Sequence, residues 1–120
     1  MIADIFDHVH VSKGEVLRIV EGRESIKFIV DHSKKEEILK MIPPGELIEV
    51  KEDLGEVNIH FSEKYGDMPG MVSPILNELT LNELNLIEII GCMPELIIIV
   101  NEGDISKCHD ALLRFLYPKM

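Results

Sequence analysis

Leu86-Ile87-Glu88-Ile89-Ile90-Gly91-Cys92-Met93-Pro94-Glu95-Leu96-Ile97-Ile98-Ile99-Val100 is the stretch whose reading decides the fold. Two short β-branched runs flank the turn residues Gly91 to Pro94, the pattern of two strands joined tightly. Leu96 to Val100 is apolar at every position, and within Leu86 to Ile90 only Glu88 is polar. Successive side chains on a strand point to opposite faces, so both faces of these strands call for burial. Helices on one side of a sheet cover only one face. At about 25 cal/mol per Å², a few exposed branched side chains represent several kcal/mol of association energy. The second face is therefore expected to be covered by another repeat or by a second subunit.

Seventy residues upstream the same pattern occurs again. Leu86, Ile87, Ile89 and Ile90 correspond to Val16, Leu17, Ile19 and Val20, and Leu96, Ile98, Ile99 and Val100 to Ile26, Phe28, Ile29 and Val30. Glu21-Gly22-Arg23-Glu24 is the turn between the earlier runs. The offset extends to helical stretches on either side. Val72, Ile75, Leu76 and Leu79 match Ile2, Ile5, Phe6 and Val9, each set spaced i, i+3, i+4, i+7. Cys108 and Leu112 match Ile38 and Ile42. A shared period over four successive elements, without a gap, marks an internal repeat rather than a chance coincidence of apolar residues. Each unit reads helix, strand, strand, helix.

Between the units, Ile42-Pro43-Pro44-Gly45 stops a helix. Two further strands are expected at 47–51 and 57–61, joined at the hairpin turn Glu52-Asp53-Leu54-Gly55. Val57, Ile59 and Phe61 alternate with Asn58 and His60, so one face of the second strand is buried. The later half then reads strand 57–61, helix 71–81, strand 86–91, strand 95–101, helix 105–116. With 47–51 donated as a fourth strand, this is an antiparallel, ferredoxin-like βαββαβ sheet with helices on one face. The fold class is α+β, a tandem repeat whose first copy, residues 1–45, lacks its first strand. Residues 46–120 form the second copy, including the linking hairpin.

The chain has 120 residues, enough for one compact domain or two very small ones, and a 46% hydrophobic composition that can build a core. A formal net charge of −10 is the wrong sign for nucleic acid and for anionic membrane surfaces. Cys92 and Cys108 form neither a disulfide framework nor a CxxC pair. Met1-Ile2-Ala3-Asp4 lacks the basic and apolar regions of a signal peptide, and the longest apolar run is strand-sized, so a cytoplasmic location is expected.

Asp7, His8 and His10 could suggest a metal, but histidines two apart on a helix point to different faces. Cys108 and His109 are adjacent and cannot face the same way; Cys108 sits at the repeat position of Ile38 and reads as core. Glu36, Glu37, Glu78, Glu83 and Asp110 fall on polar faces or turns and read as solvated surface. No nucleophile with a converging base and no phosphate-binding glycine loop is present, so no enzyme, no metal and no cofactor is expected.

Gly66-Asp67-Met68-Pro69-Gly70-Met71-Val72 lies between a strand and an amphipathic helix. It resembles the D-x-P-G signature of ACT domains, at the place where that family passes from its first strand to its first helix. Residues 82–101 are similar to the family's second and third strands. Nearly the whole chain resembles the paired ACT regulatory region at the C-terminus of aspartokinases. That resemblance implies allosteric sensing, with an amino acid bound where paired ACT units meet and an associated biosynthetic enzyme controlled in trans. Aspartokinase and homoserine dehydrogenase are the natural partners by analogy. The ligand residues it implies are Asp67, Met68, Pro69, Gly70 and Met71 on the loop, with Ile89, Ile90, Gly91 and Cys92 on the second strand of a neighbouring unit. A close backbone approach at glycine and a helix N-terminus suit a carboxylate, and Asp67 suits an ammonium.

Two departures from the family pattern bear on this site. If Ser73 caps the helix and Pro74 opens it, the Pro69-Gly70 turn is no longer the helix N-terminus. Gly91-Cys92-Met93 also replaces the polar side chains often found there. The first repeat has no equivalent loop, so each chain offers at most one such site. A homodimer is expected. The alternative is a dimerisation or regulatory subunit that binds no small molecule, the Asp-x-Pro-Gly run then being only a turn and a cap.

Overall fold

The computed structural model describes residues 15–61, 70–92 and 94–117. The first expected helix, the Asp7-His8-His10 cluster and Asp67 to Pro69 lie outside the described residues. The chain divides into two compact units, 1–52 and 53–120. Residues 46–52, grouped by sequence with the second repeat, thus fall in the first unit.

In the first unit β1 (Leu17–Glu21) and β2 (Ile26–Val30) form an antiparallel hairpin, closed by a 2.8 Å bond from the Gly22 N–H to the Ser25 carbonyl. A single 3-10 turn, His32–Lys34, leads into α1 (Lys35–Met41). The Asp31 carboxylate accepts the Val16 N–H at 2.8 Å, tying the end of β2 to the entry of β1. Ile38 is buried against Leu17, Phe28, Val30, Met41 and Ile42. The helix stops at Ile42, whose extended backbone (φ −97°, ψ 122°) is what the following Pro43 imposes.

In the second unit β3 (Leu54–His60), α2 (Val72–Leu81), β4 (Leu86–Cys92), β5 (Glu95–Asn101) and α3 (Ile105–Leu116) follow one another. The strands lie in the order β3-β5-β4, both neighbouring pairs antiparallel. Leu96, Ile98 and Val100 of β5 pack with Ile75 and Leu79 of α2 and with Cys108, Ala111 and Leu112 of α3 in one core, closed by Phe61 and Leu84. Ile97 and Ile99 alternate to the other face and are buried as well. Both faces of the central strand are thus removed from water, as its unbroken apolar run requires.

The two hairpins pair in the same register at the 70-residue offset. Ile19 faces Phe28 as Ile89 faces Ile98, Val20 faces Lys27 as Ile90 faces Ile97, and Glu21 faces Ile26 as Gly91 faces Leu96. Each hairpin is followed by a 3-10 turn at matching positions, His32–Lys34 and Glu102–Asp104. They diverge at one point. Leu17 faces Val30, whereas Val100 faces Leu86 across a register shift between Leu86 and Glu88 that gives β4 one extra residue.

The expected strand at 47–51 is not formed, and among the described residues the second sheet has three strands instead of four. Leu54 and Gly55, read as part of a turn, already belong to β3 and pair with Asn101 and Val100. That leaves Glu52-Asp53 as the loop. Twist-matched two-residue hairpin loops need a positive φ at their first residue. Only the second, Asp53, has one (57°), and its carbonyl is taken by the Glu102 N–H at 2.8 Å.

Gly55 has a separate reason to be glycine. A Cβ there would stand 2.1 Å from Cδ1 and 2.3 Å from Cγ1 of Ile105, the first residue of α3.

Candidate functional site

The start of α2 settles which helix cap is used. The helix begins at Val72 with Met71 as its cap residue, so Gly70-Met71 runs directly into the first turn. Pro74 is then the third helical residue, where an N–H has no intrahelical acceptor in any case. The first return bond runs from the Ile75 N–H to the Met71 carbonyl at 3.3 Å. No side chain caps this end and no acidic residue lies in the first turn. The Val72 and Ser73 N–H groups, with the positive end of the helix dipole, are a place where an anion is favoured. Read from the sequence, Ser73 is only a possible cap and Val72 only part of the apolar face, although Pro74, which is tolerated in the first turn, is the signal that their N–H groups open the helix.

Gly70 is exposed, and a Cβ built on it would meet nothing within 4 Å. The same holds for Gly91. Met71 is half-buried and packs on the core of the second unit, anchoring the helix start.

The other end of α2 fixes β4. Glu83 takes a left-handed φ of 59°, its N–H bonds to the Thr80 carbonyl at 3.0 Å, and the Leu84 N–H reaches back to the Leu79 carbonyl at 3.2 Å. This is a Schellman turn with glutamate in the place usually held by glycine, completed by burial of both Leu79 and Leu84. Asn82 braces it, its amide donating to the Glu78 carbonyl at 2.8 Å and its carbonyl oxygen accepting from Arg114 at 3.3 Å.

Because the link from α2 to β4 is so short, the first turn of α2 lies toward the end of the sheet where β4 finishes. β3 runs parallel to β4, and it finishes there too, with the Phe61 N–H bonded to the Pro94 carbonyl at 2.7 Å. Gly70 and Met71 therefore share one end of the second unit with Gly91 and Cys92. On β4 itself, Ile89 is 36% exposed, Ile90 is half-buried, and Gly91 and Cys92 are exposed. Gly91 stands opposite Leu96, and Cys92 opposite Glu95.

The remaining candidates separate cleanly. Cys108 is fully buried in the core and burial, with a smaller contribution from Asp104, pushes its thiol pKa up, whereas His109 is exposed. Glu36, Glu37, Glu83 and Asp110 are exposed, and Glu78 is half-buried beside Asn82. Among the described residues no group of three His, Cys, Asp or Glu side chains could hold a metal ion. No helix among them is long and apolar enough to cross a membrane.

No protein-family model matches the sequence, and no curated protein matches it. A solved structure does. The chain is similar to the ligand-free regulatory subunit of aspartate kinase from Thermus thermophilus, with a TM-score of 0.72 at 15% identity, over 95% of this chain and 82% of that one. At that identity the likeness is one of fold: the α+β arrangement of antiparallel sheets and helices expected from the sequence resemblance is present.

Proposed function

We propose that this chain is a non-catalytic regulatory module that binds an amino acid and controls an amino-acid biosynthetic enzyme in trans. The observation that carries the reading is the fold shared with an aspartate kinase regulatory subunit over nearly the whole chain. It is supported by the matching registers of the two hairpins, which read as two ACT-like units, the first without its opening strand. The amino acid's carboxylate lies at the open first turn of α2, near Gly70 and Met71, and Asp67 of the same loop takes its ammonium. Residues 89–92 of a neighbouring unit close the site, in a homodimer in the cytoplasm. Aspartokinase or homoserine dehydrogenase is the enzyme regulated.

Titration calorimetry with each of the twenty amino acids tests this reading, with Gly70→Asp as the control. The open space at Gly70 lets that variant fold while placing a carboxylate where the ligand's own belongs. Binding of one or a few amino acids by the parent protein, abolished in the variant, is the expected outcome. Silence across the panel, with a stable enzyme complex indifferent to amino acids, would assign the chain instead as a structural subunit.

A further inference from the structure

Residues 47–51, Leu-Ile-Glu-Val-Lys, have the composition of a strand and no strand partner among the described residues. Leu47 and Val50 are 43% and 44% exposed, and Ile48, at 82%, is the most exposed large apolar side chain among the described residues. The segment is held at both ends inside the first unit. Before it, the Glu46 N–H closes a turn on the Pro43 carbonyl at 2.9 Å; after it, Glu52 is ion-paired with Lys35. A β-prone segment tethered at both ends has less conformational freedom to lose on joining another strand.

We infer that this segment is a self-complementary strand that pairs antiparallel with the same segment of a second copy of the chain, through Ile48, Glu49, Val50 and Lys51. The argument is the order of its charges. About a two-fold axis at Val50, Glu49 stands opposite Lys51 of the second copy and Lys51 opposite its Glu49, while Val50 stands opposite itself. Ile48 and Val50 share one face of the strand, and each Ile48 lies diagonal to the partner Val50, within reach of contact. One face of the ribbon thus carries four branched side chains, with Glu52 of the second copy opposite each Ile48, and the other carries two opposite-charge pairs. Moving the axis to Glu49 would set glutamate against glutamate, and moving it to Ile48 would set Glu49 against Leu47, so the register about Val50 is the one that pairs opposite charges. This inference shares the homodimer with the proposed function but uses neither the Asp67–Met71 loop nor β4, so calorimetry tests the amino-acid site separately.

Sedimentation equilibrium of the full chain near physiological salt tests it. Glu49→Lys and Lys51→Glu each turn both cross-strand pairs repulsive and are expected to weaken the dimer about tenfold or more. The double variant restores opposite charges and should return to near the parent strength. An equimolar mixture of the two single variants should form a heterodimer in which both pairs are again complementary. All these positions are exposed, and unchanged circular dichroism will confirm that each variant folds. Val50→Cys in a Cys92→Ser background should cross-link to itself on oxidation. A parent chain that stays monomeric, or a dimer equally strong in all four proteins, overturns the proposal, and so does a mixture that does not associate. A dimer indifferent to these charges would leave the amino-acid reading standing, and silence in calorimetry would leave this strand pairing standing.

Discussion

The two hairpins, β1-β2 and β4-β5, share a register and a following 3-10 turn, yet what surrounds them differs sharply. Around β4-β5 ten buried residues form a continuous core under α2 and α3. Around β1-β2 the described residues bury one, Ile38, with five half-buried neighbours. Backbone pairing is therefore set by local pattern in both units, while the packing against it differs among the described residues: two helices lie on β4-β5, and one short helix on β1-β2. Ile38 and Cys108 show this at one repeat position: Cys108 is buried with Ala111 and Leu112 of the same helix, whereas Ile38 is the one buried residue of its helix and its described neighbours are half-buried.

The sharpest test of that contrast is a pair of truncations. Ile98→Ala removes a fully buried side chain from the central strand and should cost about 3–5 kcal/mol in urea unfolding. Ile38→Ala should cost less, about 2 kcal/mol, because its described neighbours are only half-buried and can relax around the gap. Equal costs would mean that the first unit's core is as deep as the second's. Next in size is Gly55→Ala. Its new methyl group collides with Ile105, so a loss of about 1–3 kcal/mol is expected, and most of it should vanish when Ile105→Ala is combined with it. Additive losses would show that the close approach is unimportant.

The smallest effect is one of pH. Burial raises the Cys108 pKa in the folded state, so the folded chain keeps its thiol proton while the unfolded chain loses it. Stability is unaffected below the ordinary thiol range and falls as pH rises beyond about 9. Cys108→Ala should flatten that fall, measured as the change in unfolding midpoint between neutral and alkaline pH.

Much of this was legible in the sequence because it is written in periodicity. The helix 105–116 is found at those limits, and the strands of both hairpins are within a residue or two of the expected ones. The turns were harder to read. Leu54 and Gly55 look like hairpin residues, but Gly55 is glycine because Ile105 sits against it, a contact some fifty residues away in the chain that no local pattern reveals. Glu83 looks like a surface glutamate, and it is one, yet its left-handed backbone closes the Schellman turn that aims β4. A glutamate in a position that favours glycine carries no sequence signal. For the candidate site, the D-x-P-G resemblance pointed to Gly70 and Met71, and Pro74 left two helix starts open. The choice between them depended on α2 beginning at Val72, set in turn by Met71 packing on the core.

Cys92 lies exposed beside Gly91, and the only other thiol of the chain, Cys108, is sealed in the core. A maleimide dye will therefore attach at one place without any engineering, at the end of β4 nearest the start of α2. The protein comes with its own optical reporter, whose emission can register a small molecule arriving at that end of the sheet.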